Sequence, residues 1–507
     1  MSAMNYFINE NVFTFNSGTE FSALKRLRLF RAHQRPAKIV TRNYNANLSA
    51  DLERLDLSHA DVVNMYDYFQ ELTATDEKDV SARFVNAIDK TTYHIEGIDA
   101  NVSEIRHAGK MVGKVLIAPS TVGLVGSIEY YNDAFSTVAK DVWDRRGFKS
   151  STQYFHLGAE VGTQVFFDRA GKPKIEITHM NIKEKLAPTM YKLLDYQGKA
   201  YRFNSEDEMF TFFLDELAKQ DEVVLINDRP SLVTAVANVT GAKGKWNYLH
   251  NIHYRLQKSQ TSAHALPDYL KPMFEIHKDA FDGIIVPTEA QKQDIERIYS
   301  FKRVLSLPDT YADEVVLNKE ERAHKVIVLG RISGEKKPMD ALEIIAKVKT
   351  VLPDVTLDFY GYFSPTEIKE KLDQRIKDLQ LEETVTFKEY QPAEVIAEAL
   401  DEASALLVTS ESEAFGMQML EALNHGVPVV AYDVNYGPRE LIDPERTGML
   451  VPYGQLGPAA QVLANVLVSK MTEAAYQKAQ SFNMVHAWER FTAAQEQVKN
   501  LIVGEEV

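Results

Sequence analysis

The period of hydrophobicity changes twice along this chain, and that constrains the fold more than any other feature. Up to about residue 75, short apolar runs alternate with helical periodicity: N-Y-F-I-N at 5–9, a helix over 20–33, A-K-I-V-T at 37–41, then a short strand and a helical piece within 60–72. Between about 75 and 200 the helical period largely disappears. Alternating runs such as T-Q-V-F-F-D-R-A-G-K-P-K-I-E-I replace it, with turn dipeptides at Ala170-Gly171 and Gln197-Gly198, which predicts an antiparallel meander. Strand–helix alternation resumes over 207–299. After a polar linker at 308–321 it begins again with a strand at 326–329. At 507 residues the chain is too long for one ordinary core. The expected class is α/β: two doubly wound domains facing a cleft, with an inserted β-meander. The expected boundaries are 1–75 and 201–308 for the first domain and 76–200 for the insertion. The second domain takes 309–485, and a helix in 486–507 crosses back to the first.

Composition removes several function classes. The formal charge is −15, from 57 basic and 72 acidic residues, which argues against a general nucleic-acid binder. There is no cysteine, so disulfides, thiolate catalysis and Cys-based zinc sites are excluded, in keeping with a reducing cytoplasm. The first residues show no basic segment followed by an apolar run, and no apolar stretch reaches the ~20 residues of a membrane span. A cytoplasmic protein, at most peripheral to the membrane, is expected.

The chemistry concentrates at T-S-E-S-E-A-F-G-M-Q-M-L-E, residues 409–421. A buried strand is expected before it, at 403–408, and a helix after it, at 416–424. A strand that ends in a glycine turn and opens a helix gathers unpaired N–H groups and the positive end of the helix dipole, where phosphate binds. Glu413 lies in the turn and Glu421 on the helix, which suits a ligand carrying both a diphosphate and hydroxyl groups, such as a nucleotide sugar. An ordinary αβ unit with surface glutamates has the same pattern.

Other candidates lie elsewhere. Arg331 and Lys336 follow the first strand of the second domain, where both can point at one anion; a solvated basic loop is the alternative. His250 and His253, in L-H-N-I-H-Y, follow a strand of the first domain. No carboxylate near them in the chain completes a metal set, so one of them is read as a partner for a sugar hydroxyl or phosphate, against a structural role. Gly18 closes the first βα turn, where backbone can approach a ligand or simply turn. Lys25, Arg28 and Arg31 fall on about a third of the first helix, with Arg35 just beyond. This is either a solvated face or a positive strip that guides a polyanionic acceptor or rests on anionic lipid.

Together these residues resemble the retaining GT-B glycosyltransferases that carry an E-x7-E motif, here Glu413 to Glu421 with Arg331 and Lys336 as the basic pair. A narrower likeness joins the meander, S-G-T-E-F at 17–21, H-N-I-H-Y at 250–254 and D-V-N-Y-G-P at 433–438. These resemble the bacterial wall teichoic acid poly(polyol-phosphate) α-glycosyltransferases and the related glycosyltransferases of serine-rich adhesins. The resemblance implies a UDP-sugar donor and no metal or other cofactor, with Arg331 and Lys336 neutralising the diphosphate. It implies phosphate contacts from backbone at Phe415, Gly416 and Gly18, and a base-side contact at Tyr390. Glu421 would hold the ribose hydroxyls, Glu413 the donor sugar, and His250 would lie near its reacting face. Retention would follow from same-face attack as UDP leaves. Lys25, Arg28, Arg31 and His253 would serve the acceptor, and the meander would serve self-association or partner binding. Transfer of glucose to a poly(glycerol or ribitol phosphate) acceptor is expected. The alternatives are O-glycosylation of a serine-rich adhesin and, lower, an inactive partner subunit, although the two glutamates and the basic pair are all present. Two departures bear on the donor base: Gly361-Tyr362-Phe363-Ser364 replaces a G-x-G, and Lys388-Glu389-Tyr390 stands where glycine is common.

Overall fold

The computed structural model describes residues 3–72, 80–83, 85–156, 159–254, 265–320 and 322–497; the expected C-terminal helix beyond 497 lies outside them. The chain opens with β1 (Met4–Asn9), α1 (Gly18–Ala32), β2 (Ala37–Thr41), α2 (Leu48–Arg54), β3 (Val62–Asn64) and α3 (Met65–Phe69). Ten antiparallel strands follow: β4 (His94–Gly97), β5 (Val102–His107), β6 (Lys110–Ile117), β7 (Val125–Tyr131), β8 (Thr137–Asp144), β9 (Phe148–Phe155), β10 (Val161–Phe167), β11 (Pro173–Ile182), β12 (Lys185–Tyr196) and β13 (Lys199–Phe203). Each pairs with its sequence neighbours, so the sheet is one continuous meander. It runs to Phe203, so a boundary at 200 cuts its last strand.

The first domain resumes with α4 (Glu206–Gln220), β14 (Val223–Asn227), α5 (Val233–Ala237), β15 (Gly244–Tyr248), β16 (Gly283–Val286), α6 (Glu289–Ile298) and β17 (Val304–Ser306). Its seven strands are all parallel, in the order β17-β16-β15-β14-β1-β2-β3. β17 is an edge strand of V-L-S that the sequence reading omitted, because three residues carry no period. Parallel strands must be covered on both faces. One face of this sheet packs under α4 and α5 through Phe210, Phe213 and Val236, the other under α1 through Leu27 and Phe30.

The insertion is not a separate body. Phe166, Ile175, Tyr191 and Leu193, on β10 to β12, lie in the same apolar cluster as Tyr6, Phe69 and Phe213 of the first domain. The early strands keep a small core of their own, with Val85, Ile105, Val115 and Ile128.

The second domain contains β18 (Lys325–Leu329), α7 (Pro338–Lys349), β19 (Thr356–Tyr360), α8 (Ile368–Asp378), β20 (Val385–Phe387), α9 (Ala393–Glu402), β21 (Ala405–Val408), α10 (Met417–Asn424), β22 (Val429–Tyr432), α11 (Gly437–Leu441), β23 (Gly448–Val451), α12 (Leu456–Leu467) and α13 (Thr472–Gln480). Its parallel sheet has the order β20-β19-β18-β21-β22-β23. α14 (Met484–Gln497) then returns to the first domain. Phe30 meets Trp488 and Phe491 edge-on, at 5.6 and 5.7 Å between centroids, and His33 stacks on Trp488 at 4.2 Å.

Strand order reverses at β1/β14 in the first sheet and at β18/β21 in the second. Ligands of open α/β sheets bind beyond the carboxyl ends of such strands. The loops that leave these four strands carry Gly18, Asp228, Arg331 with Lys336, and Glu413.

Candidate active site at the interdomain cleft

The two reversal points face each other. A Cβ placed on Gly18, the first residue of α1, would meet Met417 Sδ at 3.5 Å, and Met417 is the first residue of α10. Two helix N-termini from different domains therefore converge, each with N–H groups that no intrahelical acceptor can use. Residues 17 and 20 fix the first turn of α1: Glu20 Oε2 accepts from the Ser17 N–H at 2.8 Å and from its hydroxyl at 2.7 Å. Gly416 caps α10 in the left-handed region, at φ +88°. Phe415 keeps its side chain in the core, so backbone is what this turn presents.

Glu413 is buried behind the turn, and its Oε1 accepts three bonds: from Lys336 Nζ at 2.6 Å, the Ser410 hydroxyl at 2.7 Å and Gln418 Nε2 at 3.0 Å. The Lys336 turn is strapped to the same loop. Thr409 Oγ1 donates to the carbonyls of Lys336 and Lys337, at 2.8 and 3.0 Å, and the Glu411 N–H donates to the Glu335 carbonyl at 2.8 Å. Arg331 is exposed and pairs with Glu335. Thus Arg331 and Lys336 flank one loop as expected, but each already holds a carboxylate. An incoming diphosphate has to compete with Glu335 and Glu413 for them.

Glu421 on α10 keeps contact with solvent while protein atoms pack closely around it. That crowding raises its carboxyl to about 7; Lys25 opposes the rise and Asp313 adds to it. Tyr390 meets Phe15 of the first domain edge-on, with centroids 5.0 Å apart, and lies 6.5 Å from Tyr362. The aromatic side of the cleft thus draws on both domains. Position 361 has no room for a side chain: at φ +151°, a Cβ on Gly361 would sit 1.9 Å from the Gly330 carbonyl oxygen.

His250 has both ring nitrogens engaged, Nδ1 with Asp309 at 2.7 Å and Nε2 with Asp228 at 2.9 Å. Two carboxylates on one imidazole call for a doubly protonated ring. Burial works against that charge, but Asp309 and Asp228 outweigh it and hold His250 above its ordinary range. Asp228 also accepts from Arg26 at 2.6 Å and from Asn9 at 3.2 Å, and Arg26 lies over the rings of Phe7 and Tyr248 at 4.6 Å. Both nitrogens are therefore committed inside a buried network, so neither reaches out to a sugar in this conformation. The sequence reading passed over Arg26, Asp228 and Asp309; the signal available was that Asp228 directly follows the strand at the reversal point.

The acceptor residues are placed less favourably. His253 is fully buried among Phe274, Tyr299 and Tyr436, so it belongs to the core rather than an acceptor surface. Lys25 turns towards the linker, where it pairs with Asp313 and covers the Tyr311 ring at 4.7 Å. Arg31 pairs with Asp61, and Arg28 donates to the Leu55 carbonyl at 3.1 Å. Two of the three charges on the expected positive strip are thus matched by aspartates. Among the described residues, no three His, Asp or Glu side chains gather as a metal-binding group, and no helix is long and apolar enough to cross a membrane.

Residues 309–482 match the family described as Glycosyl transferases group 1. Over most of its length the chain is similar to the UDP-N-acetylglucosamine–peptide N-acetylglucosaminyltransferase GtfA subunit of Streptococcus gordonii. They are 23% identical, over 90% of this chain and 89% of that protein. It is also similar to the poly(glycerol-phosphate) alpha-glucosyltransferase of Bacillus subtilis, at 21% identity over 96% of this chain and 73% of the relative. The solved structure of the pneumococcal O-GlcNAc transferase GtfA, in complex with UDP and GlcNAc, superposes with a TM-score of 0.83 at 19% identity, covering 98% of this chain and 99% of that one. The fold is GT-B, residues 309–482 are those of a group 1 glycosyltransferase domain, and the chain is a glycosyltransferase.

Proposed function

We propose that this chain moves a hexose, glucose, from a UDP-sugar to a poly(glycerol or ribitol phosphate) acceptor of the teichoic acid type, with retention at the anomeric carbon. The observation that carries the donor half is the convergence of two helix N-termini, at Gly18 and Met417, beside Lys336 and Glu413. Two converging sets of free N–H groups and an ammonium match the charge of a diphosphate leaving group. In this reading Lys336 and Arg331 exchange their carboxylates for phosphate oxygens. The freed Glu413 contacts the donor sugar, and Glu421 accepts from the ribose hydroxyls. Departure of UDP is assisted by these cations without a metal, and the acceptor hydroxyl attacks from the face that UDP leaves. In this reading the protein works in the cytoplasm, at most peripheral to the membrane, and self-associates through the meander.

The polymer acceptor is supported by the Bacillus subtilis relative, whose name states that acceptor. A second reading, O-glycosylation of a serine-rich adhesin, is supported by the Streptococcus gordonii relative and by the pairing of Lys25 and Arg31, which leaves less open positive charge for a polyanion. The test offers UDP-glucose and UDP-N-acetylglucosamine, each with poly(glycerol phosphate) and with a Ser/Thr-rich peptide. Sugar on the polymer is the expected result. Sugar on the peptide alone replaces the acceptor half of the proposal. UDP that does not bind removes the donor half.

A further inference from the structure

Glu413 is held on its main chain by a second loop of the same domain. Its N–H donates to the Asn435 carbonyl at 3.0 Å, and its own carbonyl accepts from the N–H groups of Tyr436 at 2.6 Å and Gly437 at 2.9 Å. The two loops leave no slack: a Cβ on Gly437 would lie 1.7 Å from the Phe415 carbonyl oxygen. Where the 435–437 segment goes, Glu413 follows.

The side chains of that segment are fastened to the other domain. Tyr436 is 3% exposed, and its hydroxyl donates to Asp294 Oδ2 on α6 at 2.7 Å. Its ring lies parallel to the buried His253 imidazole, with 6.1 Å between centroids and 10° between planes. Asn435 Nδ2 donates to the Tyr254 hydroxyl at 3.0 Å. α6 is itself rigidly placed in the first domain: Ile295 lies in its core, and Gln291 donates to the Asn251 carbonyl at 2.8 Å. A short, bonded path therefore runs from α6 through Tyr436 to the backbone of Glu413.

We infer that Tyr436 is a positioning residue whose hydroxyl bond to Asp294 transmits the relative placement of the two domains to Glu413. The carboxylate is thereby aligned with the donor sugar only while the cleft is closed. The inference rests on the reading of Glu413 as a donor-sugar contact. Its physical basis is that transfer is sensitive to small displacements of an orienting group, whereas UDP is read as held by several groups at once, Gly18, Arg331 and Glu421 among them, which do not depend on this one hydroxyl bond.

The test uses the full chain and the variants Tyr436→Phe, which keeps the ring, Asp294→Ala, Asp294→Asn, and the double variant Tyr436→Phe/Asp294→Ala. The readouts are kcat and donor KM for transfer, UDP-sugar hydrolysis without acceptor, UDP affinity by calorimetry, and thermal unfolding. Tyr436→Phe and Asp294→Ala are each expected to lower kcat about tenfold. UDP affinity stays within about twofold, and the double variant is no worse than Asp294→Ala alone, which already removes the Tyr436 bond together with an exposed pairing to Arg297. Asp294→Asn, which keeps an acceptor, retains most of kcat. Wild-type kcat in Tyr436→Phe overturns the inference, as do losses that multiply in the double variant. So does a lower melting temperature with unchanged turnover per folded molecule. These results leave the function standing. A wild-type chain that neither transfers nor hydrolyses UDP-sugar overturns the reading of Glu413, and this inference with it.

Discussion

Lys336 and Glu413 are 77 residues apart in the chain and 2.6 Å apart in space. Each partly neutralises the other until a ligand arrives. Replacing Lys336 by Ala removes a cation from the leaving group and leaves a buried carboxylate without its ammonium partner. Transfer is expected to fall by ~10²-fold, the size of effect seen when one charge-stabilising donor is lost. UDP affinity measured by calorimetry should fall as well. Glu421 makes a pH prediction. Crowding raises its carboxyl to about 7, so as pH drops through that value the group takes up a proton and becomes a poorer acceptor for ribose hydroxyls. UDP affinity should weaken from pH 8 to 6, and Glu421→Gln should be weak and nearly flat over that window. His250 behaves in the opposite sense. Its folded pKa is raised, so its contribution to stability is fully present below the unfolded value near 6.5 and is lost as pH rises through the folded one. Asp309→Asn removes one source of that rise, and an NMR titration of the imidazole should show its pKa lower than in the parent chain.

At the scale of elements, the strand–turn–helix units carry the proposed donor site because a parallel strand delivers its loop to the same edge every time. The turn at 409–416 was readable for that reason: an apolar run, a polar turn with one glycine and a helical period follow one another without interruption. Gly361 shows how a local departure is resolved. Only one glycine of the G-x-G pattern is present, and it is the one that the β18 and β19 ends require. Gly361→Ala puts a Cβ 1.9 Å from the Gly330 carbonyl in a backbone region that L-residues avoid. A loss of ~3 kcal/mol in urea unfolding is expected, from strain and overpacking together. The helix periodicity of α1 was equally readable, but its functional sense was not. Lys25, Arg28 and Arg31 do share a side of the helix. Asp313 and Asp61, which take up two of those charges, come from the linker and from the turn before β3. Nothing in the spacing of the basic residues announces either partner.

At the scale of the molecule, α14 ties the second lobe to the first. α14 leaves the second domain and closes the core of the first, with Phe491 buried against Phe30. Phe491→Ala should cost ~3–5 kcal/mol, the range for truncating a buried phenylalanine, read as a lower melting temperature of the first domain's transition. The meander is tied in as well. Tyr191 and Leu193 share a core with Phe69 and Phe213, so the sheet and the first domain form one cooperative body at that junction.

The sequence by itself determined the order of the layers, the place of the insertion and the two loops proposed to meet the donor. Those features depend on hydrophobic period and turn chemistry, which are written over a few adjacent residues. The tertiary structure decided the rest: that His253 is core, that His250 is clamped between Asp228 and Asp309, that Arg26 is buried beneath them, and that Tyr436 reaches Asp294. Local periodicity states which face of an element must be covered and which charges must be answered. The residue that covers or answers them comes from far along the chain, and only the packed fold brings it into reach.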